Sequence, residues 1–308
     1  MNKPKVISYF SYKGGAGRST LLYNTVPLLL NEHIKPTSDK PVVLVDMDID
    51  SCGLSYLLEV NAAKIQDNCC VQHVLAQGCD TTARRSIAEA DVLKDLIPVG
   101  NMLGYADNEA VLFLPAKDNR NVNADAHNNY EDDNFVIHLQ SFVDACGNYG
   151  VSTIILDSAV GNQATALVAN NLARTIVCCM RPTTQFVEGT ARYLQKQDTN
   201  DATVTGRKKC ILVPNVVPQG EVVIDGMRYP DRAINRIYQI FNKFIYGRDE
   251  FAEWQYNSDM LDREAFGIPA LPRFMWRESQ LYTQESLDLE EQVALERYRK
   301  LASIIHTF

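Results

Sequence analysis

The stretch Tyr12-Lys13-Gly14-Gly15-Ala16-Gly17-Arg18-Ser19-Thr20 gathers three glycines, two cations and two aliphatic hydroxyls. Glycines let a backbone turn tightly, so that successive N–H groups point inward at an anion's oxygens. A helix that starts directly afterwards adds its positive end to the same point. This composition suits the cradling of phosphate by Gly14, Gly15, Ala16, Gly17, Arg18, Ser19 and Thr20, with the Ser19 hydroxyl available to Mg²⁺. Such a loop is credible only between a strand and a helix. Both are expected here, a strand over Lys5–Phe10 and a helix from Arg18 to about Glu32. Pro27 should disturb that helix, because proline has no backbone donor.

Carboxylates recur at the ends of two further apolar runs. Val42–Val45 leads into Asp46-Met47-Asp48-Ile49-Asp50, and Thr153–Leu156 leads into Asp157. Phosphoryl transfer is mostly positioning and charge stabilisation, so one well-placed carboxylate can orient a water while others hold a metal's ligand shell. Taken alone, an acidic turn after a strand is ordinary solvated surface.

The elements that must position these groups follow from the apolar pattern. Asp95–Val99, Ala110–Leu114, Thr175–Met180 and Cys210–Val213 are expected as strands, and Phe135–Tyr149 as a helix. Strands alternating with helices predict an α/β fold with a doubly wound, mostly parallel sheet flanked by helices. We read residues 1–308 as one domain with two additions. Gly104–Asp133 is rich in Asn and Asp, and its second half is expected as a loop. Gln219–Phe266 carries Tyr229, Tyr238, Phe241, Phe244, Tyr246, Phe251, Trp254 and Tyr256, and is expected to be a helical elaboration. Leu287–Phe308 reads as a closing helix.

The loop departs from the common phosphate-loop pattern GxxxxGK[ST] at Tyr12 and Arg18. It resembles instead the form KGGxGK[ST], the deviant Walker A box of the ParA/MinD group of P-loop ATPases, at every position except Arg18. That resemblance implies ATP and Mg²⁺ as ligands and an ATP-dependent homodimer, in which Lys13 reaches the partner's nucleotide. It assigns Asp48 to the attacking water, Asp46 and Asp157 to the Mg²⁺ shell with Ser19, and Gly161 to a second switch. Asn215, after the run Cys210–Pro214, and Pro272, in Ile268–Pro272, match the segments that line the base. An amide can pair with an adenine edge through one donor and one acceptor, although Asn after a strand is also common turn chemistry. The resemblance covers Lys5–Leu57 well and Phe135–Asn215 moderately, and the two additions poorly.

Composition bounds the partners. The chain has 308 residues, 46% hydrophobic and 22% charged, with net charge -8. A sizeable core can be buried, and the acidic balance opposes general coating of nucleic acid or anionic lipid. The basic clusters Arg84-Arg85 and Arg207-Lys208-Lys209 leave a DNA-binding partition protein as an unfavoured alternative. Met1–Ser8 lacks an apolar signal core, so a cytoplasmic protein with reduced thiols is expected. The eight cysteines lack CxxC pairs, the five histidines lack metal spacing, and Cys178 and Cys179 read as buried hydrophobes. Membrane binding by the last helix is unfavoured, because Glu290, Glu291 and Glu296 offset Arg297, Arg299 and Lys300. The sequence therefore points to an ATPase switch acting on an unidentified partner protein. A nonhydrolysing nucleotide-binding scaffold stands beside it because of Arg18. A P-loop kinase or carboxylation-type enzyme is disfavoured by Lys13.

Overall fold

A computed structural model describes residues 3–60, 65, 70–76, 96–117, 134–200, 209–219, 223–224, 226–228, 235, 237, 255–256 and 267–307. The chain divides into two compact units. One comprises Met1–Ser8, Ile34–Ala159 and Gln163–Ala173, and the other Tyr9–His33, Val160–Asn162 and Arg174–Phe308. The first strand, β1 (Lys5–Ser11), contributes its opening residues to one unit and Tyr9–Ser11 to the other.

In the first unit, β2 (Val42–Asp46) is an unbroken apolar run capped by an acid, and all of it is buried. A strand buried on both faces suits a parallel sheet covered by helices. β2 runs parallel to β5 (Thr153–Val160), from Val42 opposite Thr153 to Asp46 opposite Asp157. On its other side lies β4 (Val111–Leu114), also parallel, followed by the short antiparallel β3 (Ile97–Pro98). The helices are α2 (Gly53–Leu57), α3 (Val71–Ala76), α4 (Asn134–Asn148) and α5 (Ala164–Leu172), with α4 packed on both α3 and α5. His138 of α4 and the Leu75 carbonyl of α3 are joined at 2.7 Å.

In the second unit, α1 (Arg18–Leu28) follows the loop, and β6 (Thr175–Met180) pairs in parallel with β7 (Lys209–Pro214). α6 (Thr184–Asn200) joins those strands in sequence. The two-residue strands β8 (Val223–Ile224) and β9 (Met227–Arg228) form a separate antiparallel pair, and β10 (Gln255–Tyr256) adds in parallel to β7. The closing helix, α7 (Leu289–Thr307), packs on α1. Its start is a reciprocal cap: Glu291 N–H donates to Asp288 Oδ1 at 2.8 Å, and Asp288 N–H to Glu291 Oε2 at 3.1 Å. Tyr298, Leu301 and Ile305 are buried, so the apolar stripe of α7 serves the core. Among the described residues no helix is long and apolar enough to cross a membrane.

These elements bear on several expectations. β4 falls inside 104–133, so the first part of that stretch belongs to the sheet, since Val111–Leu114 pairs with β2 residue by residue. Within 219–266, the described pieces are mostly short strands, with residues 235 and 237 helical. Most of the aromatics named there, residues 118–133, Arg84, Arg85, Arg207 and Lys208 lie outside the described residues. Pro27 sits inside α1, and its disturbance takes the form of a π-helical turn over Leu29–Ile34. Cys178 and Cys179 are fully buried as expected, and burial pushes the Cys178 thiol pKa up.

Replacing Leu301 by Ala should lower the unfolding free energy by about 2–5 kcal/mol, the usual cost of emptying a fully buried leucine site. The exposed neighbour Ser303→Ala should stay within about 0.5 kcal/mol. Urea unfolding of both variants checks the pair.

Candidate functional site

The glycine turn lies between β1 and α1, as the phosphate-cradle reading requires. Gly15 and Gly17 hold φ of 78° and 79°, a left-handed backbone that side chains rarely tolerate. A Cβ on Gly14 or Gly15 would meet nothing within 4 Å, whereas one on Gly17 would lie 2.7 Å from Asn215 Nδ2. Lys13, Gly14 and Gly15 are exposed, and Ala16 is buried. The turn is fastened from its buried side. The Ala16 carbonyl accepts from Asn215 Nδ2 at 2.8 Å and from Cys179 Sγ at 3.3 Å. α1 then begins with no acidic residue of its own in its first turn.

Three side chains of the turn have partners on other elements of the same unit. Lys13 Nζ donates to Gln185 Oε1 at 2.8 Å, and Thr20 Oγ1 to Glu278 Oε1 at 3.4 Å. Tyr12, at the position where the common pattern has glycine, fits its ring against Gly189 of α6. Arg18 is 6% exposed and directs Nη2 toward Ser19 Oγ at 3.4 Å. Gly161 N–H donates to the Ser11 carbonyl at 3.1 Å, tying that glycine to the end of β1.

The candidate carboxylates Asp46, Asp48 and Asp157 of the first unit are buried. Asp46 Oδ2 accepts from Ser55 N–H at 3.0 Å and Ser55 Oγ at 2.8 Å, and its Oδ1 accepts from Asp48 N–H at 3.1 Å. Asp46 thus closes the turn after β2 and caps α2, a structural role the acidic pattern did not reveal. Asp48 is 7% exposed, and its Oδ1 accepts from Ser51 N–H at 3.3 Å. Asp157 lies beside Asp46 in register, and its carbonyl accepts from Met47 N–H at 2.9 Å. It is an interior strand residue, because β5 continues to Val160 and does not end at Leu156.

The base-lining candidates also come together. Ile268 N–H donates to the Pro214 carbonyl, Val217 N–H to that of Ile268 and Ala270 N–H to that of Val217, each at 2.9 Å. Asn215 and the segment leading to Pro272 are therefore laced side by side. Pro272 is exposed at the start of a 3₁₀ turn, Pro272–Met275. The Asn215 amide also fastens the glycine turn: its Nδ2 donates to the Ala16 carbonyl and, at 3.3 Å, to that of Gly17.

Sequence reasoning missed Cys179, Gln185, Gly189, Ser55 and Glu278 as supports of these groups. Only one signal was available, the four-residue spacing Gln185, Gly189, Tyr193, which puts them on one helix face.

The turn, the strand that enters it and the helix that leaves it define a P-loop α/β fold. Solved structures carry the same fold over nearly the whole chain. McdA of Cyanothece, solved as a single-residue variant in complex with ATP, is 13% identical, with TM-score 0.64 and 98% of each chain covered. A plasmid partition protein from Borrelia burgdorferi is 15% identical, with TM-score 0.55 and 99% of each chain covered. The septum site-determining protein MinD from Pyrococcus horikoshii OT3, complexed with Mg-ADP, is 18% identical, with TM-score 0.55 and coverage of 98% of this chain and 96% of that one. No family model and no curated protein sequence matches the chain.

Gly17→Ala should destabilise the protein by about 1–3 kcal/mol, since it forces a side chain into left-handed backbone against Asn215. Gly14→Ala has open space and should change stability by about 0.5 kcal/mol or less. Equilibrium denaturation of the two variants separates a pinned glycine from a permissive one.

Proposed function

We propose that this protein is an ATP-binding, ATP-hydrolysing dimerisation switch of the ParA/MinD type that positions or regulates a partner protein. The observation that carries the reading is the glycine turn itself, with Gly15 and Gly17 left-handed and the Ala16 carbonyl tied back. Turning the Ala16 carbonyl inward leaves the N–H face of the loop for an anion, and the start of α1, with no acidic residue of its own, favours negative charge there. The solved proteins sharing this fold include complexes with ATP and with Mg-ADP, which supports a nucleotide as that anion.

In this reading Gly14, Gly15, Ala16, Gly17, Arg18, Ser19 and Thr20 bind the phosphates, and Pro272 lies toward the base. Asn215 lies beside it as the second base-lining residue, and it also fastens the loop. Ser19, Asp46 and Asp157 hold Mg²⁺ and its waters, an ion that would neutralise charge on the β- and γ-phosphates. Asp46 has two oxygens already engaged by N–H and O–H donors, so it suits an outer role toward a metal-bound water. Asp48 orients the water that attacks the γ-phosphorus as the bond to the leaving ADP oxygen breaks. Lys13 reaches the nucleotide of a second copy, which gives ATP and ADP different affinities for the dimer. Such differential affinity is what lets one nucleotide drive assembly and its hydrolysis release it.

A second reading is motivated by Arg18. A planar guanidinium can grip phosphate bidentately, but it is bulkier than the lysine it replaces. A scaffold that binds ATP without cleaving it would result. Phosphate release assays discriminate the two: with ATP and Mg²⁺ the parent should release phosphate, and Asp48→Ala should release about 100-fold less while still binding ATP. Tight ATP binding with no release over hours would favour the scaffold. Ser19→Ala should weaken Mg²⁺-dependent ATP binding by about tenfold, read by calorimetric titration with and without the ion. Unchanged affinity would count against placing the metal at Ser19.

A further inference from the structure

α6 carries Gln185, Gly189 and Tyr193 at intervals of four, a spacing that a helix stacks on one face. Each meets a different residue of the chain that enters the loop. Tyr193 stacks on Phe10, with ring centroids 4.4 Å apart and planes inclined by 24°. Gly189 leaves a notch filled by Tyr12, for a Cβ there would lie 2.2 Å from Tyr12 Cδ1 and Cε1. Gln185 Oε1 accepts from Lys13 Nζ at 2.8 Å. Phe10 in β1 and Tyr12 just beyond its end both meet α6, which fixes where the next residue emerges. Lys13 has a long flexible stem and is exposed, so without a partner its ammonium would sample many positions.

We propose that this face of α6 is a positioning device that keeps Lys13 turned onto its own subunit, with Gln185 as the residue that holds the ammonium. The inference rests on the dimerisation reading above. The Lys13 ammonium cannot stay on Gln185 and also reach a second copy's nucleotide, so each dimer formed must release two such contacts. Gln185 therefore sets a threshold for assembly without touching the nucleotide of its own subunit. A neutral amide suits a contact that must be released, since its oxygen accepts from the ammonium yet lacks the full charge that would hold a cation strongly. The Gly189 notch supports it by setting the height at which Tyr12, and hence Lys13, leaves β1.

The test measures the monomer–dimer equilibrium by sedimentation, using the full chain with Mg²⁺ and a nonhydrolysable ATP analogue. Binding of a fluorescent ATP analogue to dilute monomer is measured in parallel. An exposed contact of this kind is worth about threefold, so Gln185→Ala should tighten dimerisation by about tenfold when two lysines are freed, with monomer nucleotide affinity unchanged. Gln185→Glu should weaken dimerisation, and its penalty should shrink as salt rises, because it is a charge–charge contact. In a Lys13→Ala background the Gln185 substitutions should add nothing. Because Gln185 is exposed, neither variant should unfold the chain, and thermal unfolding verifies that. The proposal is overturned if both variants dimerise as the parent does, or if Gln185→Ala keeps its effect without Lys13. A parent that stays monomeric at saturating analogue overturns the dimerisation reading itself, and the inference with it, before any variant is made.

Discussion

The carbonyl of Ala16 is the point on which the loop's shape turns. It is held by two donors from neighbouring strands, the Asn215 amide beyond β7 and the Cys179 thiol of β6. A buried carbonyl without a partner costs a desolvation penalty of about 1–3 kcal/mol, so these donors select the peptide orientation in which oxygen points into the protein. That choice decides which polarity the loop offers to solvent. The strand register makes it available, because Cys179 pairs opposite Val213 and brings the end of β7 to the same level. Alternation along β6 then separates two adjacent thiols: Cys179 serves the loop, while Cys178 packs 3.4 Å from Cys210 Sγ.

A second constraint explains how the loop accepts Tyr12 where the common pattern has glycine. Space that a glycine would leave in the loop is supplied by Gly189 in the facing helix. A glycine inside a helix costs about 1 kcal/mol relative to alanine. Here it admits an aromatic ring that lies tilted against Tyr193, which itself stacks on Phe10. The loop is consequently set against α6 by packing as well as by the hydrogen bond at Lys13, and its departure from the pattern is matched by a change elsewhere in the chain.

The strands were legible because they are nearly pure: Val42–Val45 and Ile176–Met180 are apolar throughout, and both are buried along their length. The phosphate turn was legible because glycine and cation spacing is local. What the sequence concealed depends on long-range contact. β3 falls inside the expected strand Asp95–Val99, but its shortening to Ile97–Pro98 and its antiparallel direction are set by pairing with β4 and are not announced by those residues. β4 was legible as an apolar run, but its pairing with β2 depends on a partner distant in sequence. Asn215 was found by its place after a strand, but its donor's direction follows from where Ala16 folds, 199 residues away in sequence.

The acidic turn after β2 shows how far a motif of charged residues can be divided by its surroundings. Asp46, Asp48 and Asp50 look alike in sequence, but Asp46 is fully buried, Asp48 nearly so, and Asp50 exposed. Asp46 commits its acceptors to Ser55 and to the N–H of Asp48. The same bond draws the Asp48 backbone toward β2, and Asp50 instead accepts from Gln163 at 3.1 Å. A carboxylate that fixes the backbone of its neighbour is an effective way to orient a second carboxylate for work on a water, because the turn cannot relax without leaving a buried charge uncompensated. On this argument Asp46 governs the acidic turn chiefly through Asp48, whatever it contributes to a metal's outer shell.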